Sequence, residues 1–227
     1  MGTLIKTDLN LFEERVDEIN NGVSYKQVKE AIDLMKNELH KNKDLVCLCA
    51  PQVGKNLRIF VVKTADRKYK AYLNPMIVNA SKEMHLSRET NASIPGKEYI
   101  IIRNNEIHLA YQEPTGKVNS ESYKGAFAEV IQQMVQMLDG ITLVDFGLEI
   151  IDGFDKATKR EKEEVIQMYL DSLKNYSTEL KNEIENNPEL KNINDTIDFN
   201  MRYINGEIKP VDENGNIVEP SEVKKGE

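Results

Sequence analysis

Between Lys124 and Leu138 the chain carries the segment whose pattern leaves least freedom of fold. Phe127, Val130, Ile131, Met134 and Met137 or Leu138 recur at steps of three and four, the period of an α-helix with one apolar face. Asp139-Gly140 follows, placing a glycine where a helix end favours positive φ. Methionine at helical spacing is ordinary core material, so this helix is expected at the centre of the fold, with Gln132 and Gln133 as its two unexpected polar members.

Elements suited to enclose such a helix precede it. Ser24-Tyr25-Lys26-Gln27 has the form of a capping box, and Val28, Ile32, Met35 and Leu39 continue a helical stripe to about His40. A shorter helix is expected after Asp8 or Asn10, through Leu11, Phe12, Val16 and Ile19. Leu57 to Lys63 reads as a β-branched strand, Tyr69 to Leu73 as its neighbour, and Met76 to Asn79 as another strand beyond the Asn74-Pro75 break. Tyr99 to Arg103 and Glu106 to Tyr111 read as a pair of strands, with a turn at Pro114-Thr115-Gly116. After about Ile151 the composition shifts. A charged segment from Asp155 to Asn187 keeps an apolar stripe of Ile166, Tyr169, Leu170, Leu173, Tyr176, Leu180 and Ile184, behind a capping box at Thr158 to Glu161 and ahead of Pro188. Asn214-Gly215 then reads as a hairpin turn between 202–211 and 217–218, followed by a polar tail.

The 227 residues suffice for one domain with a substantial core and an appendage. A net charge of -8, with no basic stripe, argues against nucleic acid as a partner. No apolar run reaches bilayer length, the N-terminus lacks a signal-peptide core, and Lys6 departs from the myristoylation pattern that Met1-Gly2 opens. Cys47 and Cys49 are too close together for a structural disulfide and read as buried thiols in a reducing cytoplasm. The three histidines, His40, His85 and His108, include no pair at helical ligand spacing.

Three separated segments carry a resemblance. LVCLCAPQVG, Leu45 to Gly54, is similar to Gly-x-Gly-x-Ala-Ala-Pro-Gln-x-Gly, with Leu45 and Cys47 at the glycine positions. ETNASIPG, Glu89 to Gly96, is similar to Glu-Gly-Cys-Leu-Ser-x-Pro-Gly, with Asn91 for the cysteine. VIQQMVQMLDGITLVD, Val130 to Asp145, is similar to VIQHExDHLDGxLFxD. Arg103 also stands where the pattern has an arginine. In this order and spacing the segments resemble the peptide deformylases over about Ser24 to Ile150. The resemblance implies an α+β fold with antiparallel sheets around a central helix. It also implies Fe(II) or Zn held by one Cys and two His, a Glu as general base, and a Gln with a backbone N–H for the oxyanion, together removing formyl groups from N-terminal methionines.

Carried over residue by residue, only Gln52 survives. Asn91 replaces the Cys, Gln133 and Met137 the two His, and Met134 the Glu. An amide is a poor ligand for a transition metal, a thioether a soft and weak one, and methionine has no proton to exchange. No metal or other cofactor is therefore expected, and no catalytic residue. Gln52, Asn91, Gln133, Met134 and Met137 are read as a vestigial cleft, with the methionines refilling it as core. Leu45 and Cys47 are expected to fill the channel beside it, and Glu89 and Arg103 to form a fold-holding ion pair. An ion site improvised from Cys47, Cys49 and His85 is the less favoured use of those residues.

The expected organisation is a deformylase-like domain over 1–151 and, over 152–227, a helical and hairpin extension acting as an interaction or assembly arm. Ile166, Tyr169, Leu173, Tyr176 and Leu180 are its candidate contact residues. The favoured function is an inactive deformylase relative reused as a structural subunit, cytoplasmic or within an assembly, for which the Lys/Asn/Ile-rich composition suggests a phage particle. Its partners are then proteins or further copies of itself, with no nucleic acid and no membrane. Two alternatives stay open: a hydrolase with a non-standard metal site, and a module that binds peptide N-termini.

Overall fold

A computed structural model describes residues 4–20, 22–64 and 68–186, of which 176–186 as backbone alone. Two compact units divide the chain, Met1–Glu163 and Glu164–Glu227. Among its described residues the first has eight strands and three complete α-helices. The strands are β1 (Cys47–Cys49), β2 (Ile59–Lys63), β3 (Tyr69–Ala80), β4 (Met84–Asn91), β5 (Ile94–Asn104), β6 (Glu106–Gln112), β7 (Val118–Lys124) and β8 (Leu148–Glu149). The helices are α1 (Tyr25–Lys41), α2 (Ala126–Leu138) and the single turn α3 (Leu143–Phe146). A further helix, α4 (Lys159–Asn186), begins in the first unit and forms the described part of the second.

All strand pairings are antiparallel, in a five-stranded sheet ordered β1-β2-β3-β6-β7 and a three-stranded sheet ordered β4-β5-β8. The larger sheet is covered on both faces. Val28, Ala31, Ile32, Met35 and Leu39 of α1 pack with Ile59, Val61, Ala71 and Leu73, while Phe60, Val62 and Tyr72 turn to the opposite face and α2. Strand β2 is buried from Ile59 to Val62 for that reason: both sides of its pleat meet a helix, so its apolar run is continuous rather than alternating. Ring stacking of Phe60 on Tyr72 at 4.5 Å, with Tyr111 edge-on to Tyr72 at 4.7 Å, fills the α2 side.

Helix α2 is thus a layer between two sheets. Ala128, Ile131, Met134, Val135 and Leu138 meet the large sheet. On its other side Glu129, Gln132, Gln133 and Gln136 reach β4 and β5 through hydrogen bonds. Glu129 accepts from the Ser87 hydroxyl at 2.6 Å and pairs with His85 at 2.9 Å. Hydrogen bonds to Glu129 and Asn105 raise the His85 pKa above its ordinary value.

Several expectations need correction. Residues 69–80 form one strand, because the break at Asn74 (φ 47°) is absorbed as a bulge. Asn74 bonds both the N–H and the C=O of Ile19, and Arg58 Nη2 donates to the Pro75 carbonyl, so the irregular backbone keeps its partners. Strands β5 and β6 are consecutive but not paired; they belong to different sheets. Helix α2 begins at Ala126, since Lys124 ends β7 and Gly125 (φ 60°) makes the turn. The N-terminal helix is one 3-10 turn, Leu9–Phe12, capped by Asp8. Strands β4 and β7 were not anticipated.

The first unit extends past residue 151, where the composition changes. Arg88 pairs with Asp155 and Glu98, and Lys162 donates to the Asp155 carbonyl, which attaches residues 152–163 to the smaller sheet. Thr158 and Glu161 form the expected reciprocal cap of α4. On α4 Ile166, Leu170 and Leu173 are half-buried, Tyr169 is buried, and Val165 and Met168 are exposed. The Tyr176 and Leu180 side chains and the expected hairpin lie outside the described residues. No helix among the described residues is long and apolar enough to cross a membrane.

Candidate functional site

The five positions singled out in sequence come together between the end of β1, the end of β4 and the polar side of α2. Gln52 belongs to a 3-10 turn that follows β1 (Ala50–Val53) and closes on Gly54, with φ at 74°. Asn91 ends β4, where alternation sends His85, Ser87, Glu89 and Asn91 to the inner side and Met84, Leu86, Arg88 and Thr90 outward. Gln133, Met134 and Met137 come from α2. All five are buried, Gln52, Met134 and Met137 to 1% exposure and Asn91 and Gln133 to 7%.

Their polar atoms satisfy one another. The Cys49 backbone N–H donates to Gln52 Oε1 at 2.9 Å. Gln52 Nε2 donates to Asn91 Oδ1 at 3.1 Å and to Ser93 Oγ at 3.2 Å. Asn91 Nδ2 donates to Gln133 Oε1 and to Met137 Sδ, both at 3.0 Å. Gln133 Nε2 donates to Glu89 Oε2 at 2.8 Å and to the Thr90 carbonyl at 3.2 Å. Glu89 is gripped by Arg103 through Nε at 2.6 Å and Nη2 at 2.7 Å, and Arg103 Nη1 reaches Gln136 at 2.5 Å. Each of the three amides finds two acceptors for its NH₂, and no buried side-chain nitrogen or oxygen of the site lacks a partner. Met134 lies in the apolar cluster shared by α2 and the large sheet.

This donor set does not fit the Fe(II) or Zn ion that the resemblance implies. Where three ligand lone pairs would converge on a cation, the Asn91 NH₂ points its hydrogens at Gln133 and Met137. The two groups that face it, an amide oxygen and a thioether, are weak ligands for such an ion. Gln52 is equally committed: both hydrogens of its NH₂ already have acceptors. Cys47 and Cys49 do not compensate. Burial pushes the Cys49 thiol up to about 12; burial, with the Glu89 charge nearby, does the same to Cys47. His85 is engaged with Asn105 and Glu129, and among the described residues no three His, Cys, Asp or Glu side chains are placed to share an ion.

Some members of the network had no sequence expectation attached: Ser93, Gln136, and the Gln132 bonds to the backbone of Asn104. A signal was present, however. The row Ser87, Glu89, Asn91 at period two and the row Glu129, Gln132, Gln133, Gln136 at helical period are complementary polar faces.

Comparison with known proteins agrees with this geometry. A family model described as polypeptide deformylase matches residues 4–147. The peptide deformylase of Dictyoglomus turgidum is 34% identical over 141 residues, covering 62% of this chain and 87% of that protein. Among solved structures, the peptide deformylase of Thermotoga maritima superposes with a TM-score of 0.57 at 26% identity, over 62% of this chain and 94% of that one. A probable peptide deformylase from Synechococcus phage S-SSM7 gives 0.57 at 29% identity, over 62% and 97%. The helix between two antiparallel sheets, the three motifs that meet beside it and the match across 4–147 have one common reading: the chain belongs to the peptide deformylase family.

Proposed function

We propose that this chain is a non-catalytic member of its family that serves as a structural or interaction subunit of a larger assembly. The observation that carries the first half is the closed amide network: the Asn91 NH₂, at the position of the family's cysteine ligand, donates to Gln133 and Met137, and a buried methionine stands at the position of the base. Without an ion, water keeps its high pKa and the formamide carbonyl lacks its nucleophile and its Lewis acid. Without Glu at 134 no side chain is left there to move the proton. The alternatives have less in their favour. A peptide N-terminus would need free donors and an open channel. The Gln52 NH₂ is already occupied, and Leu45 and Cys47 at the glycine positions are half-buried there.

Metal analysis of the purified full chain, alongside hydrolysis of a formyl-methionyl peptide, tests this half. The expected result is no stoichiometric Fe, Ni or Zn and no turnover above the uncatalysed rate. Stoichiometric metal with activity would sink the proposal.

The second half rests on the region after residue 151, which continues beyond the family match at 147. Beside the expected contact residues Ile166, Tyr169 and Leu173, α4 carries Met168, at 72% exposure, and Val165, at 39%, as exposed apolar side chains for the contact role. The similar phage protein is the observation on the side of a phage setting. Light scattering and pulldown of the full chain, with and without Val165→Glu and Met168→Glu, are the test. A native oligomer or captured partner lost in the double variant is expected; a monomer with no partner in both cases counts against an assembly role.

A further inference from the structure

An ion held by positions 91, 133 and 137 would tie β4 to α2. In this chain those positions are tied directly. We propose that the amide chain running from the Cys49 N–H through Gln52, Asn91 and Gln133 to Glu89 is an ion-free cross-link, which locks the end of β1, β4 and α2 into one cooperative unit. The proposal rests on the preceding reading that the site takes no ion.

The direction of the chain is set by groups that cannot reverse. At one end the Cys49 backbone N–H is only a donor, so the Gln52 oxygen must face it. In the middle the Ser93 backbone N–H donates to Asn91 Oδ1 at 2.8 Å, which fixes that amide with its NH₂ toward α2. At the other end the Thr90 carbonyl and the Glu89 carboxylate are only acceptors, so the Gln133 NH₂ must face them. Every amide therefore has one permitted orientation, and all three point their hydrogens along the same path toward a carboxylate that Arg103 neutralises. Aligned dipoles in a water-poor site polarise one another. Flipping any one amide would oppose donor to donor and acceptor to acceptor on both sides.

Such a chain also selects against partial substitution. Removing Asn91 orphans the Ser93 N–H, the Gln133 oxygen and one Gln52 hydrogen at once, in a site that water hardly reaches. Removing Gln133 orphans the Asn91 NH₂ on that side. Once one link is gone the other has lost much of its purpose, so the two losses should overlap.

Four proteins test the cross-link: the native chain, Asn91→Leu, Gln133→Leu, and the double variant, each melted with and without EDTA. Each single change is expected to lower Tm by roughly 5 °C, and the double variant to fall little further than the worse single. Additive losses would overturn the cross-link. Should a single variant fail to fold, side-chain amide exchange in the native protein decides: protected NH₂ signals for Gln52, Asn91 and Gln133 support the chain, and free-solution rates overturn it. A native Tm that drops in EDTA, with stoichiometric metal released, would instead remove the underlying reading, so the two failures are distinguishable.

Discussion

Replacing Arg103 with methionine is expected to cost about 3–5 kcal/mol of folding stability, the range for removing one partner of a buried ion pair. Arg103 is 1% exposed and Glu89 8%, and the pair is bidentate. Without the guanidinium, the Glu89 carboxylate stays buried with only the Gln133 NH₂ facing it, and Gln136 loses its donor. Arg88 provides the contrast. It pairs with Glu98 and Asp155 while 45% of its side chain stays exposed, and Arg88→Met should cost far less than Arg103→Met. The double change Arg103→Met, Glu89→Leu should recover much of the single loss, because no charge is then left buried. Urea denaturation of the four proteins is the measurement. A loss for Arg103→Met no larger than that for Arg88→Met would show that the pair is not holding β4 and β5 to α2 as described.

The residues that made the family legible are the same ones that carry the backbone of the site. Ala50-Pro51-Gln52-Val53-Gly54 is a turn that only a particular order of proline, apolar residues and a left-handed glycine closes, and it is found as that turn. The α2 stripe was legible because its apolar side meets an apolar sheet. Its other side was not, because a helix with glutamines opposite its stripe ordinarily faces water. Here it faces a second sheet whose inner row is polar. The same fact hid β4. Ser87, Glu89 and Asn91 alternate with Met84, Leu86 and Arg88, and simple patterning would turn the polar row outward, whereas the structure turns it inward onto α2. The separation of β5 from β6 was equally hidden. Adjacent strands usually pair, but at Asn105 the chain crosses between sheets: its N–H goes to Glu83 and its side chain to His85.

The hydrogen-bond partners were beyond sequence reading for a related reason. An amide side chain fits a surface, a metal-free core or a helix cap equally well, and only three-dimensional placement shows which. Substitution at four positions announced that the family's three ligands and its base were gone. It did not announce what stands in its place, because Asn91, Gln133 and Gln52 acquire their meaning jointly. Each alone is an unremarkable buried amide.

Asp139-Gly140 is the motif fragment whose role is purely architectural, and Gly140→Ala is expected to destabilise the fold by roughly 3 kcal/mol, from left-handed strain and overpacking together. Helix α2 ends in a Schellman arrangement: the Ile141 N–H returns to the Gln136 carbonyl at 2.9 Å and the Gly140 N–H to Met137 at 3.3 Å, with Gly140 at φ 82°. The N-terminal segment crosses this end directly. The Val16 N–H donates to the Leu138 carbonyl at 2.8 Å, and Arg58 bonds the same carbonyl at 3.0 Å while pairing with Asp139 at 2.8 Å. A Cβ on Gly140 would come within 3.0 Å of the Glu14 carbonyl carbon and 3.1 Å of the Glu13 oxygen, both backbone atoms that cannot rotate away. Gly116 separates the two contributions. It has a similar φ of 87° but nothing within 4 Å of a new Cβ, so Gly116→Ala should carry the strain alone, about 1–2 kcal/mol. If the two variants lose the same stability in urea, residues 13–16 do not press on the end of α2, and the glycine is there for its φ only. A larger loss at Gly140 means that this joint fixes the height of α2 between the sheets, and with it the level at which Gln133 and Met137 meet Asn91.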